Sequence, residues 1–141
     1  RKMKKILIVT SSFDGTVDYF ITKFSDKASF FRINIDKLEN YEVSIHNGTI
    51  KISFDNNQIS FNELNAIYYR KPMMPNLTEY SSDFHYLMRK DIETLLFGLV
   101  ESFEGKCLSK PLTLKRAENK VYQAYLAKKI GFNIPNFLIT N

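Results

Sequence analysis

The first 36 residues combine two strand patterns with one helical pattern, and this order constrains the fold more than any other feature. Residues 6–10 (ILIVT) form a short, continuous, mostly branched apolar run, which is typical of a buried strand in a parallel sheet. Residues 31–35 alternate apolar and polar side chains, which predicts a second strand with unlike faces. Between them, side chains at helical spacing predict one apolar helix face: Phe13, Val17, Phe20, Ile21 and Phe24. This order predicts a βαβ unit with a right-handed crossover.

The loop after the first strand is a candidate anion site. It lies at the carboxyl end of a predicted parallel strand, where open α/β sheets bind ligands. Ser11, Ser12 and Thr16 supply hydroxyl groups, and the N-terminus of the following helix adds backbone donors. The loop has neither the glycine-rich dinucleotide fingerprint nor the phosphate loop of P-loop proteins. The alternative is an ordinary connecting loop in which Thr16 caps the helix.

The middle of the chain changes to strict alternation. Residues 41–45 and 50–54 alternate on either side of an Asn-Gly pair at 47–48, which predicts a β-hairpin with a type I′ turn. Ile59 and Phe61 suggest a third short strand. We therefore predict an α/β fold, Rossmann-like, with a central, mostly parallel sheet and an antiparallel β-meander insertion.

A further buried strand is predicted at residues 66–69, and two cations follow it directly. Arg70 and Lys71 at a strand end suit the recognition of a carboxylate or phosphate, which an arginine can bind through two parallel hydrogen bonds. The alternative is a solvated strand end at which Arg70 pairs with a nearby acidic residue.

The remaining segments predict two helices and two short strands. The longest helix spans residues 83–103 and ends before Gly105, and its apolar face comprises Phe84, Leu87, Met88, Ile92, Leu95, Leu96, Leu99, Val100 and Phe103. A short strand follows at 107–109, and a second helix runs from a Thr113 cap to a stop at Gly131. The side chains of this helix that are predicted to face inward are Leu114, Ala117, Val121, Ala124 and Tyr125. Residues 137–139 begin another strand.

Composition excludes several classes of protein. A single cysteine, Cys107, excludes an internal disulfide and favours a cytoplasmic location, and two histidines are too few for a His-based metal cluster. No apolar run approaches the roughly 20 residues that span a bilayer, so we expect no membrane partner. The net charge of +5 favours anionic partners, but the basic residues are scattered, so we expect no nucleic-acid partner.

Two segments carry a resemblance to a known enzyme family. They are residues 68–72 (YYRKP) and the helix start 117–120 (AENK), which is followed by Gly-Phe at 131–132 and Ile-Pro at 134–135. Residues 6–12 and 31–34 agree with the same family. The whole chain resembles the N-terminal part of ATP-grasp ligases that mature ribosomally made peptides. These are the microviridin-type or graspetide enzymes and their grasp-with-spasm relatives.

The resemblance implies two parts. Residues 1–111 correspond to a pre-ATP-grasp α/β domain. Residues 112–141 correspond to a linking helix and the first strand of the ATP-grasp domain, whose remainder is expected outside these 141 residues. Enzymes of this family use ATP and Mg²⁺ to phosphorylate a side-chain carboxylate of a precursor peptide. A hydroxyl or amine of the same peptide then attacks the acyl phosphate, which gives an ester or amide cross-link.

The resemblance also assigns roles to residues. The lysine that corresponds to Lys120 reaches the nucleotide phosphates in ATP-grasp enzymes, and Asn119 stands where many relatives carry Asp. For Arg70 and Lys71 it implies a substrate-binding or interdomain role. It assigns no catalytic residue and no metal ligand within this chain. We therefore expect that the chain neither catalyses alone nor binds ATP tightly.

Three questions of function and partners stay open at this point. The chain could be a freestanding, non-catalytic module that binds a peptide or a small anion. It could also belong to another ATP-grasp carboxylate-amine ligase. The exposed edge of the meander at 41–61 could pair with a partner strand, so a homodimer is an option.

Overall fold

The structure, a computed structural model, describes residues 3–140. Its centre is a four-stranded sheet in which all neighbouring strands are parallel. In their order across the sheet, the strands are β2 (Ala28–Asn34), β1 (Lys4–Thr10), β6 (Ala66–Tyr69) and β7 (Lys106–Leu108). Helix α1 (Gly15–Lys23) connects β1 to β2, so the predicted βαβ unit is confirmed.

Helix α1 covers one face of this sheet. Val17 is fully buried there. The ring of Phe20 packs against Phe30 of β2 and Tyr68 of β6, with centroid distances of 5.5 and 5.8 Å. Asp18 lies in the first helical turn and Lys23 in the last, as the helix dipole favours.

The opposite face forms the main hydrophobic core. It packs against the C-terminal half of helix α2 (Ser82–Glu101) and against a separate three-stranded antiparallel sheet. That sheet contains β3 (Glu42–His46), β4 (Thr49–Phe54) and β5 (Asn57–Ser60). Buried side chains from all three layers meet in this core: Leu7, Val9, Ile33, Ile67, Leu96, Leu99, Val100, Ile50, Ile52 and Ile59.

The predicted meander and its turn are confirmed. Asn47 and Gly48 have φ angles of 48° and 75°, the positive values that a type I′ turn requires. The α/β fold with a mostly parallel central sheet and an antiparallel insertion is therefore as predicted. Two short 3-10 helices, Ile35–Asn40 and Phe61–Glu63, connect the layers.

The cap of α1 differs from the prediction. Asp14, not Thr16, is the N-cap, and its side chain accepts the backbone N–H groups of Thr16 and Val17. A carboxylate placed immediately before the helix reaches these donors, whereas Thr16 already lies inside the first turn. Phe13, predicted on the apolar face, is 65% exposed because it precedes the helix.

The end of α2 was also predicted too late. The helix ends at Glu101, and the backbone N–H of the capping Ser102 donates to carbonyls of the last turn. Phe103 lies outside the helix and packs edge-on against Phe61 in the core, with a centroid distance of 6.1 Å. The helix therefore ends where Phe103 turns inward, four residues before Gly105.

The second predicted helix is two helices, α3 (Pro111–Ala117) and α4 (Lys120–Lys129). Asn119 has non-helical dihedral angles and caps α4 through a hydrogen bond from Tyr122 N at 3.0 Å. Asn favours such caps over helix interiors because its side chain competes for backbone groups. Pro111 occupies the first turn of α3, so the predicted Thr113 cap is wrong.

The end of α4 agrees with the sequence. Gly131 has φ +84° and its N–H donates to Lys128 O, while Phe132 N donates to Ala127 O. This pair of bonds is a Schellman motif, which requires a residue that tolerates positive φ. The inward face predicted for this helix is not buried, since Val121 and Tyr125 are exposed.

The strand predicted at residues 137–139 is not formed. These residues have no regular secondary structure, and their three apolar side chains are exposed. A strand needs a hydrogen-bonded neighbour, and none of the described strands pairs with this segment. Among residues 3–140, no helix is long and apolar enough to cross a membrane.

Candidate functional site

The carboxyl ends of β1 and β6 bring Thr10, Asp14 and Arg70 together. Oδ2 of Asp14 accepts two hydrogen bonds, from Thr10 Oγ1 at 2.8 Å and from Arg70 Nε at 3.1 Å. Oδ1 of Asp14 meanwhile caps α1. The alternative left open for Arg70, pairing with a nearby acidic residue, is therefore present. The two terminal Nη groups of Arg70 make no hydrogen bond to any described residue.

The charge of Asp14 is stabilised despite its burial. Burial raises the pKa of the carboxyl. The hydrogen bond from Thr10, the bonds from the helix N-terminus and the attraction of Arg70 lower this pKa, and together they outweigh the effect of burial. The net result is a pKa below the ordinary value of 3.8. Asp14 is therefore ionised at neutral pH and holds the Nε side of Arg70, which leaves the Nη edge available to an anion.

The predicted anion loop is occupied by carboxylates of the chain itself. Ser12 donates from its backbone N and its Oγ to Asp36, at 2.7 and 2.5 Å. The backbone N of Thr16 donates to Asp14 at 3.2 Å. Ser11 is buried, and its Oγ accepts a hydrogen bond from Met73 N at 2.8 Å. An anion at this loop would have to displace Asp14 or Asp36.

Lys71 lies next to this loop with an unusual backbone. Its φ is +42°, in the left-handed region that non-glycine residues seldom adopt. Its carbonyl accepts the Ser11 hydroxyl at 3.4 Å, so the loop after β6 is tied to the loop after β1. The lysine side chain is exposed and forms no ion pair with the described residues.

Arg32 of β2 was not among the predicted site residues. Its Nε donates to Asn34 Oδ1 at 2.7 Å, one Nη donates to Ser11 O at 2.5 Å, and the other pairs with Asp18 of α1. This arginine therefore locks the first loop to β2 and α1. The sequence signal for Arg32 was a charged residue within an alternating strand. Its partners Asp18 and Ser11 lie 14 and 21 positions earlier in the chain, so the local pattern does not identify them.

Lys120 lies in a second region, at the first turn of α4. Its side chain is exposed, and Nζ donates to Gln123 Oε1 at 3.2 Å. A cavity of about 300 Å³ opens beside it between α4 and the segment after Gly131. Its lining residues are Lys120, Gln123, Ala124, Ala127, Ile134, Pro135 and Phe137. Lys120 therefore supplies a positive charge at the edge of a cavity whose other lining side chains, apart from Gln123, are apolar.

Electrostatic and ionic contacts connect the two regions. Burial, followed by the charges of Glu93 and Glu118, raises the pKa of Tyr69 to about 12. Glu118, two positions before Lys120, therefore acts on the residue that precedes Arg70. Lys115 of α3 pairs with Glu93 of α2 at 3.2 Å. The ion pair ties α3 to α2, and Lys120 shares no hydrogen bond with Arg70.

No metal site is formed by the part of the chain that the structure describes. Residues 3–140 contain no group of three His, Cys, Asp or Glu side chains that could hold an ion. Cys107 is half-buried against the core, and burial raises the pKa of its thiol. It is therefore a packing residue.

Solved structures similar to this fold are ATP-grasp ligases. A Chryseobacterium gregarium RiPP-associated ATP-grasp ligase, in complex with ADP and a leader and core peptide, is 27% identical with a TM-score of 0.76. The match covers 95% of this chain and 43% of that one. Macrocyclase MdnB from Microcystis aeruginosa MRC is 25% identical with a TM-score of 0.81, over 94% of this chain and 46% of its own.

The fold is shared at lower identity as well. Macrocyclase MdnC from Microcystis aeruginosa MRC, bound with precursor peptide MdnA, is 22% identical with a TM-score of 0.85. That match covers 94% of this chain and 46% of MdnC, so the chain spans a little under half the length of these structures. Comparison of sequences alone finds no matching family model and no matching curated protein. The resemblance predicted from the sequence is thereby confirmed, and over nearly its whole length the chain is similar in fold to RiPP-associated ATP-grasp ligases.

Proposed function

We propose that this chain is the N-terminal, pre-ATP-grasp part of an ATP-dependent ligase that cross-links a ribosomal precursor peptide. The observation that carries the proposal is the match, over 95% of the chain at 27% identity, to a ligase solved with ADP and a leader and core peptide. In this proposal residues 1–111 are the pre-ATP-grasp domain. Residues 112–141 lead into the nucleotide-binding domain.

The reaction proposed for the intact enzyme activates a peptide carboxylate. A free carboxylate resists attack because it has no good leaving group. Transfer of the γ-phosphoryl group of ATP to a carboxylate oxygen gives an acyl phosphate and ADP. A hydroxyl or amine of the same peptide then attacks the acyl carbon, loses its proton and expels phosphate. The products are an ester or an amide cross-link, ADP and phosphate.

Lys120 is proposed to contact the nucleotide phosphates. Its Nζ is held by one neutral partner, Gln123 at 3.2 Å, and by no carboxylate among the described residues. A phosphate oxygen can therefore replace this amide oxygen with a net gain in charge attraction. Lys120 lies in the first turn of α4 and lines the adjoining cavity, which supports this assignment.

Arg70 is proposed to bind a carboxylate, either of the peptide or of a neighbouring domain. Asp14 holds Nε and orients the guanidinium plane, so the two Nη groups present parallel donors. Lys71, exposed beside it, adds a second positive charge. The residues that the structure describes do not fit a Mg²⁺ site.

The segment after residue 111 is proposed to form an interdomain contact. Val121 and Tyr125 of α4 and the apolar side chains at 137–139 are exposed. Apolar side chains on successive turns of a helix that lacks a buried face suit contact with another domain.

The test uses the intact protein in which this sequence occurs, with ATP, Mg²⁺ and its precursor peptide. Lys120→Ala is expected to lower ATP-dependent cross-linking about tenfold to a hundredfold, because a charge-assisted phosphate contact is lost. Cross-linking is measured by mass spectrometry as the loss of one water per bond formed. Lys129→Ala, at the other end of α4, is the matched control and is expected to retain full activity.

The same assay separates the alternatives. Unchanged ATP affinity and turnover in Lys120→Ala would refute the role of this lysine. Peptide binding without any ATP consumption would indicate a non-catalytic module. ATP hydrolysis that depends on a free amino acid, with no precursor peptide present, would indicate another carboxylate-amine ligase.

A further inference from the structure

Lys71 has a backbone conformation that its residue type and its neighbour in sequence disfavour. Three residues other than glycine have positive φ among residues 3–140: Asn47 at 48°, Asp55 at 50° and Lys71 at 42°. Asn47 and Asp55 lie in the turns of the meander, where their short polar side chains tolerate such angles. Lys71 lies in no hairpin, and Pro72 after it favours an extended conformation at the preceding residue. The conformation of Lys71 therefore costs free energy that its surroundings must offset.

The hydroxyl group of Ser11 holds the turn around Lys71. Ser11 is 2% exposed, and its Oγ donates to the carbonyl of Lys71 at 3.4 Å and accepts a hydrogen bond from Met73 N at 2.8 Å. These bonds join residues 60 and 62 positions apart. The carbonyl of Ser11 accepts a hydrogen bond from Arg32, so the serine is itself held in place. One buried hydroxyl group therefore closes the turn across Lys71 and Pro72.

The turn begins at the proposed carboxylate-binding group. Arg70 N donates to Val9 O at 2.8 Å, so the hydrogen bonding between β6 and β1 extends to Arg70. Nε of the same arginine is held by Asp14 at 3.1 Å. Lys71 is the next residue, and its exposed side chain forms no ion pair with the residues that the structure describes. The turn therefore fixes where the chain places a second positive charge relative to Arg70.

We propose that Ser11 is a positioning residue for the carboxylate-binding pair Arg70 and Lys71, because its hydroxyl group keeps Lys71 in the left-handed conformation. An extended Lys71 would continue in the direction of β6, whereas a left-handed residue turns the chain away from it. Glycine would adopt the same turn without the cost of a positive φ, but it would supply no charge beside Arg70. This role of Ser11 rests on the proposed function of Arg70.

The test uses the intact protein with ATP, Mg²⁺ and its precursor peptide, and mass spectrometry measures the rate of cross-linking. Ser11→Ala is expected to raise KM for the peptide about fivefold, while kcat and KM for ATP stay within about twofold of the wild type. Ile52→Val shortens a buried side chain of the meander and is the matched control. It also destabilises the fold, but all three constants are expected to stay unchanged. Circular dichroism checks folding, and Ser11→Cys, which forms only weak hydrogen bonds, replaces Ser11→Ala if that variant unfolds.

Substitution of Lys71 separates its charge from its conformation. Lys71→Gly is expected to lower the equilibrium constant of unfolding about threefold, because glycine accepts positive φ, and to raise KM for the peptide about fivefold. Asp55→Gly makes the same backbone change in a meander turn and is the matched control, with an unchanged KM. Lys71→Arg keeps the charge and is expected to stay within about twofold of the wild-type KM.

Two results would overturn the proposal: an unchanged KM for the peptide in Ser11→Ala, or a Lys71→Gly variant that is less stable than the wild type. Arg70→Ala separates this failure from a failure of the proposed function. A raised KM in Arg70→Ala with an unchanged KM in Ser11→Ala refutes the role of Ser11 alone. An unchanged KM in both variants refutes the carboxylate site as well.

Discussion

Nε of Arg70 donates a 3.1 Å hydrogen bond to Oδ2 of Asp14, a residue 56 positions earlier in the chain. The same carboxylate accepts the Thr10 hydroxyl and caps α1, so one side chain joins two strand ends and a helix start. The two Nη groups of Arg70 stay available at the carboxyl edge of the sheet. The orientation of the proposed carboxylate-binding group therefore depends on Asp14.

Removal of this carboxylate is expected to destabilise the domain. Asp14→Ala loses the helix cap and leaves the Thr10 hydroxyl and Arg70 Nε without their partner, which together cost about 2–4 kcal/mol. Urea unfolding at neutral pH measures the change. Asp26→Ala removes an exposed pair with Lys27 and is the control, with an expected loss of about 0–1 kcal/mol. Equal losses in the two variants would contradict this role of Asp14.

The contribution of Asp14 is also expected to depend on pH. Because its folded-state pKa lies below the ordinary 3.8, the stabilisation is fully present above that value. It is lost as the pH falls through the lower folded-state pKa. The difference in unfolding free energy between wild type and Asp14→Asn should therefore be largest near neutral pH. It should shrink below pH 3.8. A difference that stays constant on acidification would show that the charge of Asp14 contributes nothing.

Alanine substitution of two glycines is expected to change the stability of the domain in opposite directions. An added Cβ meets no atom within 4 Å at either Gly48 or Gly98, so only backbone conformation separates them. Gly48 has φ +75° in the hairpin turn, and Gly48→Ala should destabilise by about 1 kcal/mol. Gly98 lies inside α2, and Gly98→Ala should stabilise by about 0.5–1 kcal/mol. Urea unfolding of the two variants checks the sign, and equal signs would contradict the prediction.

Cys107 is expected to react slowly with alkylating reagents. Burial raises the pKa of its thiol above 9.0, against the opposing charge of Lys110, so little reactive thiolate exists at neutral pH. The alkylation rate of the folded chain, followed against pH, should still rise above pH 9.0. The urea-unfolded chain is the control and should react faster at every pH. A folded chain that reacts as fast at neutral pH would refute the packed environment.

The strands and the meander could be predicted because they depend on local periodicity. Alternation places Ile50 and Ile52 on one face of β4, and Asn47-Gly48 can adopt the positive φ angles of the turn. Helix ends were predicted less well. The caps at Asp14 and Asn119 and the early end of α2 depend on single side chains that compete for backbone donors or turn into the core.

Part of the candidate site could be predicted in the same way. Arg70, Lys71 and Ser11 follow strands whose parallel order places their ends at one edge. Asp36, which holds Ser12, and Arg32, which holds Ser11, were not predicted as site residues. The ligand roles of Lys120 and Arg70 stay predictions until they are measured.

The sequence by itself determined which segments become strands and helices, because a period of two or of about 3.6 residues favours one local conformation. Only the tertiary structure decided that Asp14 meets Arg70, that Asp36 fills the first loop and that half of α2 stays uncovered. These contacts join side chains 24 to 56 positions apart, and no local pattern encodes which of them meet. Packing of the sheet, its helices and the meander brings them together.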